Sequence, residues 1–284
     1  MENKQKLSLK KLLTCVVVIF FIISSCSTKS NKNNAVLSVE TANIINNFYG
    51  DALEFKESYG LLYDISKNVG QRLSGSEGAK KAVDWSKKVM EEYDFDSVYL
   101  QEVMVPHWER GDLEECFYYI GREKINLTIL GAGGTVSTPK EGYTAEVVEV
   151  SSLDEVERLG KKVISGKIVF YNKGFNPRYI NQGASYGAAG FQRREGAIKA
   201  SEYGAVASVF RSLSSIEDDV PHTGGMSYSI DFDSIPHGAL GVTSSIKLSK
   251  ALVNNPNLKI TLKLSGKWFP DALSHNVIGE IRGS

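Results

Sequence analysis

Val98-Tyr99-Leu100-Gln101-Glu102-Val103-Met104-Val105-Pro106-His107-Trp108-Glu109-Arg110-Gly111 is the stretch at which this 284-residue chain changes character. Apolar residues occupy both parities, with Val98, Leu100 and Met104 on one and Tyr99, Val103 and Val105 on the other. That is the pattern of a strand buried on both faces, and Pro106, which has no ladder donor, is expected to end it. Such a strand needs a pairing partner and covering helices. The partner is expected far downstream, in Asn276-Val277-Ile278-Gly279-Glu280-Ile281. The chain then leaves a first domain at Gly111 and re-enters it near Asn276.

Working upstream, Leu61, Leu62, Ile65 and Val69 recur at helical spacing, and Gly70 stops that helix. Ser74 with Glu77 reads as a capping box for a further helix running to about Tyr93, with Ala79, Val83, Trp85, Val89, Met90 and Tyr93 on its buried face. Downstream the texture is different. Short β-type runs recur at 116–120, 125–130, 145–150, 167–171, 206–210 and 258–264. One helix is expected among them, from Gly190 to Tyr203, ending at Gly204 before the strand that starts at Ala205. Together with Ile168-Val169-Phe170-Tyr171 it makes a βαβ-like unit inside a β-rich insert.

Three patterns invite chemistry and each is declined. Gly131-Ala132-Gly133-Gly134 lacks the third glycine of a dinucleotide fingerprint, since Val136 stands there and no helix pattern follows, so it reads as a turn. Gly183-Ala184-Ser185-Tyr186-Gly187 matches a nucleophile elbow, with Asp218, Asp219, His222 and His237 downstream in the order of a triad. An elbow needs a buried strand running into the turn, whereas the preceding 176–182 segment is polar and contains Pro177. Ser185 is therefore expected in a loop, and a serine hydrolase is a remote alternative. His107, His222, His237 and His275 show no metal-ligand spacing, so no catalytic or metal residue is assigned.

The amino terminus is read separately. Lys4, Lys6, Lys10 and Lys11 precede an apolar run over residues 12–23, too short for a span of about 20 residues but suited to a signal peptide. Ile23-Ser24-Ser25-Cys26 resembles a bacterial lipobox, which makes Cys26 the expected site of lipidation and residues 27–38 a polar tether. Export to the cell envelope with a lipid anchor in the membrane is the implied location. Cys15 leaves with the leader, so Cys116 stands alone and stability must come from a core. Lysine and arginine total 33 against 33 aspartate and glutamate, leaving no basic excess for nucleic acid.

Several stretches together resemble one family. Gly70-Gln71-Arg72-Leu73-Ser74-Gly75-Ser76, the Pro106-His107-Trp108-Glu109-Arg110-Gly111 run, Ile129-Leu130-Gly131, Thr138-Pro139-Lys140-Glu141-Gly142, Gly166-Lys167-Ile168-Val169, Pro221-His222-Thr223-Gly224 and the 276–281 stretch look, in order and spacing, like the amino-terminal half of the carboxypeptidase Q-like di-zinc exopeptidases. The resemblance implies an α/β zinc-exopeptidase sandwich, incomplete here, interrupted by a β-rich protease-associated domain. The expected layout is leader 1–26, tether 27–38, first peptidase segment 39–111, protease-associated domain 112–268 and return strand 269–284. It further implies two zinc ions, a peptide or dipeptide substrate and hydrolysis of a peptide bond, with a homodimer left open. The family's zinc ligands and glutamate base begin after the return strand, beyond Ser284. The expectation is therefore a partial exopeptidase, inactive by itself, with a non-catalytic binding lipoprotein as the alternative. In the glutamate carboxypeptidase branch an arginine of the protease-associated domain meets the substrate's terminal carboxylate. The matching position, eleven residues before Gly204, is Arg193, with Arg194 beside it.

Overall fold

The computed structural model describes residues 38–283. The expected leader and the expected lipidation site, Cys26, lie outside the described residues. Of these, residues 38–61 belong to one compact unit and residues 62–283 to another. The first unit is chiefly α1 (Val39–Phe55), whose N-cap Ser38 accepts a 3.0 Å bond from the Thr41 amide. Helix α2 (Glu57–Asp64) follows and continues into a π-turn, Ile65–Val69, which Gly70 closes at φ +78° by donating its N–H to the Ile65 carbonyl.

In the larger unit, α3 (Glu77–Glu91) is capped two residues later than the sequence suggests. Ser76, not Ser74, is the N-cap; its Oγ accepts from the Ala79 amide at 3.2 Å and donates to the Leu73 carbonyl at 2.6 Å. The face expected to be buried is only half-buried, and Tyr93 lies past the helix end, exposed. This face packs on a two-stranded antiparallel ribbon of β1 (Ser97–Glu109) and β10 (Lys267–Glu280). At the seam Gly279 is required for close approach, because a Cβ there would meet the Met90 methyl at 2.7 Å and the Phe95 ring at 2.9 Å.

The pairing of the 98–105 and 276–280 segments is as read, Val98 opposite Gly279 and Val103 opposite Ser274. Two details differ. The strand is not buried on both faces: Tyr99, Met104 and Leu273 are exposed. Nor does Pro106 end it. The ladder skips between Val105 and His107, placing Pro106 across from the Pro270 region in a bulge where no ladder N–H is needed, and pairing resumes from His107–Phe269 to Glu109–Lys267.

Between the ribbon strands lies an eight-stranded sheet. Its strands are β2 (Glu114–Ile120), β3 (Glu123–Leu127), β4 (Ile129–Gly131), β5 (Tyr143–Val150), β6 (Ile168–Tyr171), β7 (Ala207–Arg211), β8 (His237–Leu240) and β9 (Lys259–Leu264), in the order β3-β2-β9-β5-β6-β7-β8-β4. Strands β5 to β8 are parallel and the flanking pairings antiparallel. The parallel centre is buried on both faces: Ile168, Val169, Phe170 and Tyr171 are all at 0% exposure. One face packs Leu248 and Leu252 of α8 (Val242–Asn254); the other packs Val156 and Ile164 of α4 (Leu153–Ile164) with Ala197 and Ala200 of α7 (Gly196–Glu202).

The insert is thus a layered α/β unit, richer in helix than its β-type runs suggest. Helix α4 hides behind Gly160, which takes φ +67° inside it. Helix α8, with four Ser and Thr among its residues, has weak local propensity and is fixed by burial of Val242, Leu248 and Leu252. The expected 190–203 helix is broken at Glu195 into α6 (Phe191–Arg194) and α7, and a further helix α5 (Gln182–Ala189) occupies the segment read as a loop. Ser185 is therefore helical and buried.

The ribbon's foot is seated on the sheet unit by the Trp108-Glu109-Arg110-Gly111 run. Trp108 is buried and donates Nε1–H to the Thr135 carbonyl at 2.9 Å, while Trp268 donates to the Gly134 carbonyl at 2.8 Å. Arg110 pairs with Glu114 at 2.8 Å, donates to the Gly131 carbonyl at 2.6 Å and stacks 5.2 Å above the Trp108 ring. The glycine-rich turn is therefore an anchoring platform.

Candidate functional site

Helices α5 and α6 bring Tyr186 and Arg193, seven residues apart, onto one face. Gly190 joins them with helical dihedrals, and a Cβ there would press on the Arg194 guanidinium. Arg193 Nη1 donates to the Tyr186 hydroxyl at 2.5 Å, and the guanidinium lies 5.5 Å from the ring centroid. On the far side of Tyr186, His222 sits edge-on at 5.8 Å and 90°, its Nε2 3.4 Å from the same hydroxyl. Phe175 closes the cluster with a second edge contact to Tyr186 at 6.1 Å.

Three motifs singled out in the sequence converge here. The Pro221-His222-Thr223-Gly224 segment is clamped to the glycine-rich turn, since Gly133 donates to the Gly224 carbonyl at 2.9 Å and Thr223 Oγ1 to the Gly131 carbonyl at 3.2 Å. The His222 amide donates to Ser212 Oγ at 2.8 Å. Gly224 then presses against Arg193: a Cβ would stand 2.9 Å from Nη1. Arg193 is half-buried, its Nε is enclosed without a hydrogen-bond acceptor, and no carboxylate pairs with it among the described residues. Arg194 is exposed. A positioned, unpaired guanidinium is chemically an acceptor site for a carboxylate, which its planar fork binds through two parallel N–H bonds.

The other candidates are dispersed. Ser185 Oγ accepts from the Asn176 amide at 2.8 Å and meets neither His222 nor His237, so the elbow-and-triad arrangement does not form. His237 is fully buried between β7 and Gln192. Its Nε2 faces the Gln192 carbonyl at 3.1 Å, which accepts only, so Nδ1 takes the 2.7 Å bond from Ser208 Oγ–H. Burial drives this imidazole down to about 4, fixing it neutral at physiological pH. His107 pairs with Glu109 and stacks on Phe269. Among the described residues no three histidine, cysteine, aspartate or glutamate side chains cluster as a cation site. Cys116 is buried, and desolvation pushes its thiol up to about 12, which leaves it unreactive. What the sequence reading missed was Tyr186: it stands seven residues before Arg193, a helical spacing that puts both on one face once 182–194 is seen to be helical.

Comparison with known proteins places these features in context. The chain is 40% identical over 227 residues to carboxypeptidase Q of Xenopus laevis, an overlap that covers 80% of this chain and 46% of that protein. Against human carboxypeptidase Q it is 36% identical over 236 residues, covering 83% and 47%. It thus spans about half the length of the curated relatives it matches. Among solved structures, a peptidase M28 precursor from Shewanella amazonensis superimposes with a TM-score of 0.78 at 29% identity, covering 85% of this chain and 54% of that one. A zinc aminopeptidase from Bacillus subtilis shares the fold with a TM-score of 0.51 at 20% identity, over 79% of this chain and 46% of its own. No family model matches the sequence.

Proposed function

This chain belongs with the carboxypeptidase Q-like M28 metallopeptidases, and on that premise we propose that it is the amino-terminal portion of an exported, zinc-dependent exopeptidase that removes residues from peptides. The observation that carries the reading is the alignment of 80% of the chain with one half of carboxypeptidase Q. In this reading the ribbon and its helices are the start of the peptidase domain, the eight-stranded unit is the inserted protease-associated domain, and Cys26 carries the lipid.

The described residues do not fit a zinc site. Their histidines are held apart, His237 sealed in the core and His107 engaged by Glu109 and Phe269. In the family, metal supplies activation of a water and polarisation of the scissile carbonyl; the ligands for it belong to the half of the relatives that this chain does not span. The role left to these residues is recognition. Arg193, fixed by Tyr186 and braced by Gly224, receives the substrate's terminal carboxylate.

Two measurements test this. Metal analysis of the purified 284 residues is expected to find no stoichiometric zinc, and reading the encoding DNA beyond Ser284 to find an in-frame metal-binding half; tightly held zinc overturns the reading of the histidines, and a stop codon turns the balance to a non-catalytic binding lipoprotein. In the complete enzyme, Arg193→Ala is expected to raise KM for dipeptides about tenfold or more and to spare substrates with a blocked carboxyl end. An equal response of both classes removes Arg193 from substrate recognition.

A further inference from the structure

We propose that Arg211 forms the wall of a second ligand site, a polar cavity that takes the carboxylate of a small organic acid carrying an apolar or aromatic group. The cavity measures about 340 Å³ and is lined by Arg211, Gln182, Ser214 and Ser215 on its polar side and by Phe175 and Tyr179 on its aromatic side. That volume falls within the range of small-molecule sites.

The position of the guanidinium is set by rigid parts. Arg211 is the last residue of β7, paired with Leu240 of β8. Its head lies along the backbone at Gly174, where a Cβ would stand 3.6 Å from Cζ. Among the described residues neither a hydrogen bond nor an ion pair reaches Arg211, and its Nε is enclosed without an acceptor. Glu217 lines the same cavity but makes no ion pair with it; burial lowers the arginine's proton affinity and Glu217 opposes this only through space. A guanidinium remains charged under such a shift. An enclosed Nε–H with no acceptor is costly, and an anion entering the cavity relieves that cost.

The surrounding groups select among anions. The fork matches a planar carboxylate. Ser215 Oγ is met only by a long 3.4 Å contact from Gln182, leaving its hydroxyl proton for an incoming acceptor. Phe175 and the partly exposed Tyr179 offer the apolar wall for the rest of the ligand. Phe175 also touches Tyr186, so this cavity adjoins the Arg193 cluster, yet Arg193 does not line it. The inference stands apart from the peptidase reading, because binding is read without turnover.

The test follows arginine Nε–H resonances of the full-length protein labelled with nitrogen-15 during titration with N-acetylphenylalaninate, its neutral amide and inorganic phosphate. The carboxylate is expected to shift the signal that disappears in Arg211→Lys, and its affinity to fall about tenfold or more in that variant, with the amide silent, phosphate weaker and Arg193→Ala binding as the parent does. Ser215→Leu, at an exposed position lining the cavity, fills the space without touching β7 and is expected to abolish binding even if Arg211→Lys is poorly folded. Equal shifts by amide and acid, phosphate binding as tightly as the carboxylate, or undiminished binding in Ser215→Leu overturns the proposal. Loss of binding in Arg193→Ala but not in Arg211→Lys assigns the carboxylate to Arg193, which removes this inference and leaves the earlier one standing.

Discussion

His237 shows how a single buried residue ties the stability of the sheet to pH. Its ring is sealed at 0% exposure, tilted on Phe210 at 4.8 Å, and held by Ser208 and the Gln192 carbonyl. Its folded pKa of about 4 lies below the ordinary 6.5, so below pH 6.5 the unfolded state binds the proton and the folded state does not. Stability is complete above pH 6.5 and falls as pH drops toward 4, by up to about 1.4 kcal/mol per pH unit. Urea unfolding at pH 7 and pH 5 is expected to show this loss in the parent and a smaller one in His237→Gln; identical pH dependence in both removes His237 as the cause. The sequence marked His237 as standing in triad order after Ser185 and as unpaired at ligand spacings. That it is a structural histidine follows from β8 lying beside β7, a non-local fact. Arg193 was legible by its distance from Gly204, but its grip on Tyr186 was not, because the segment around Ser185 reads as a loop whereas 182–189 is helical.

Among the elements, the ribbon was the most legible and its surroundings the least. Apolar residues on both parities of 98–105, with those of 276–281, pointed to the pairing, while its register comes from the structure alone. The burial they suggested fails because α3 covers one face only, leaving the cross-strand pair Met104 and Leu273 at 58% and 56% exposure. An uncovered apolar pair on a ribbon invites association. Replacing both by lysine is expected to lower binding of a hydrophobic dye and slow aggregation with little change in melting temperature; unchanged dye binding points to another patch. The ribbon's foot behaves oppositely. Gly266 packs beneath Trp108, where a Cβ would stand 2.5 Å from the indole and 2.9 Å from the Thr135 carbonyl. Neither neighbour yields easily, since Trp108 is buried and hydrogen-bonded. Gly266→Ala is therefore expected to cost about 1–3 kcal/mol by chemical denaturation, and a neutral result means that the indole reseats freely.

At the scale of the whole larger unit, the distribution of buried side chains forecasts how it comes apart. Both apolar clusters, one around Ile260, Leu262 and Leu248 and the other around Val169, Tyr171 and Phe210, draw all of their fully buried members from residues 116–264. The ribbon contributes Trp108 alone to the buried apolar set. A two-stranded ribbon is marginal by itself and needs a covering layer, and here α3 supplies half of one. Its amides are held by a single ladder, whereas those of β6 lie between two strands with apolar contacts above and below. Native-state hydrogen exchange is therefore expected to divide the unit: amides of β6, β7 and β8 exchange only through global unfolding, and those of β1, β10 and α3 through a sub-global opening of lower free energy. Trp108 and Trp268 decide where that opening stops. Both indoles donate to carbonyls of the glycine-rich turn, so His107 to Glu109 remain with the sheet unit while Ser97 to Val105 leave, and the bulge at Pro106, which interrupts the ladder, is the point of separation. Trp108→Phe, which keeps an aromatic ring and loses the Thr135 bond, is expected to extend the opening past Pro106 without changing the slowest amides. Uniform protection from β1 through β8 in the parent rules this division out and makes the ribbon part of one cooperative core.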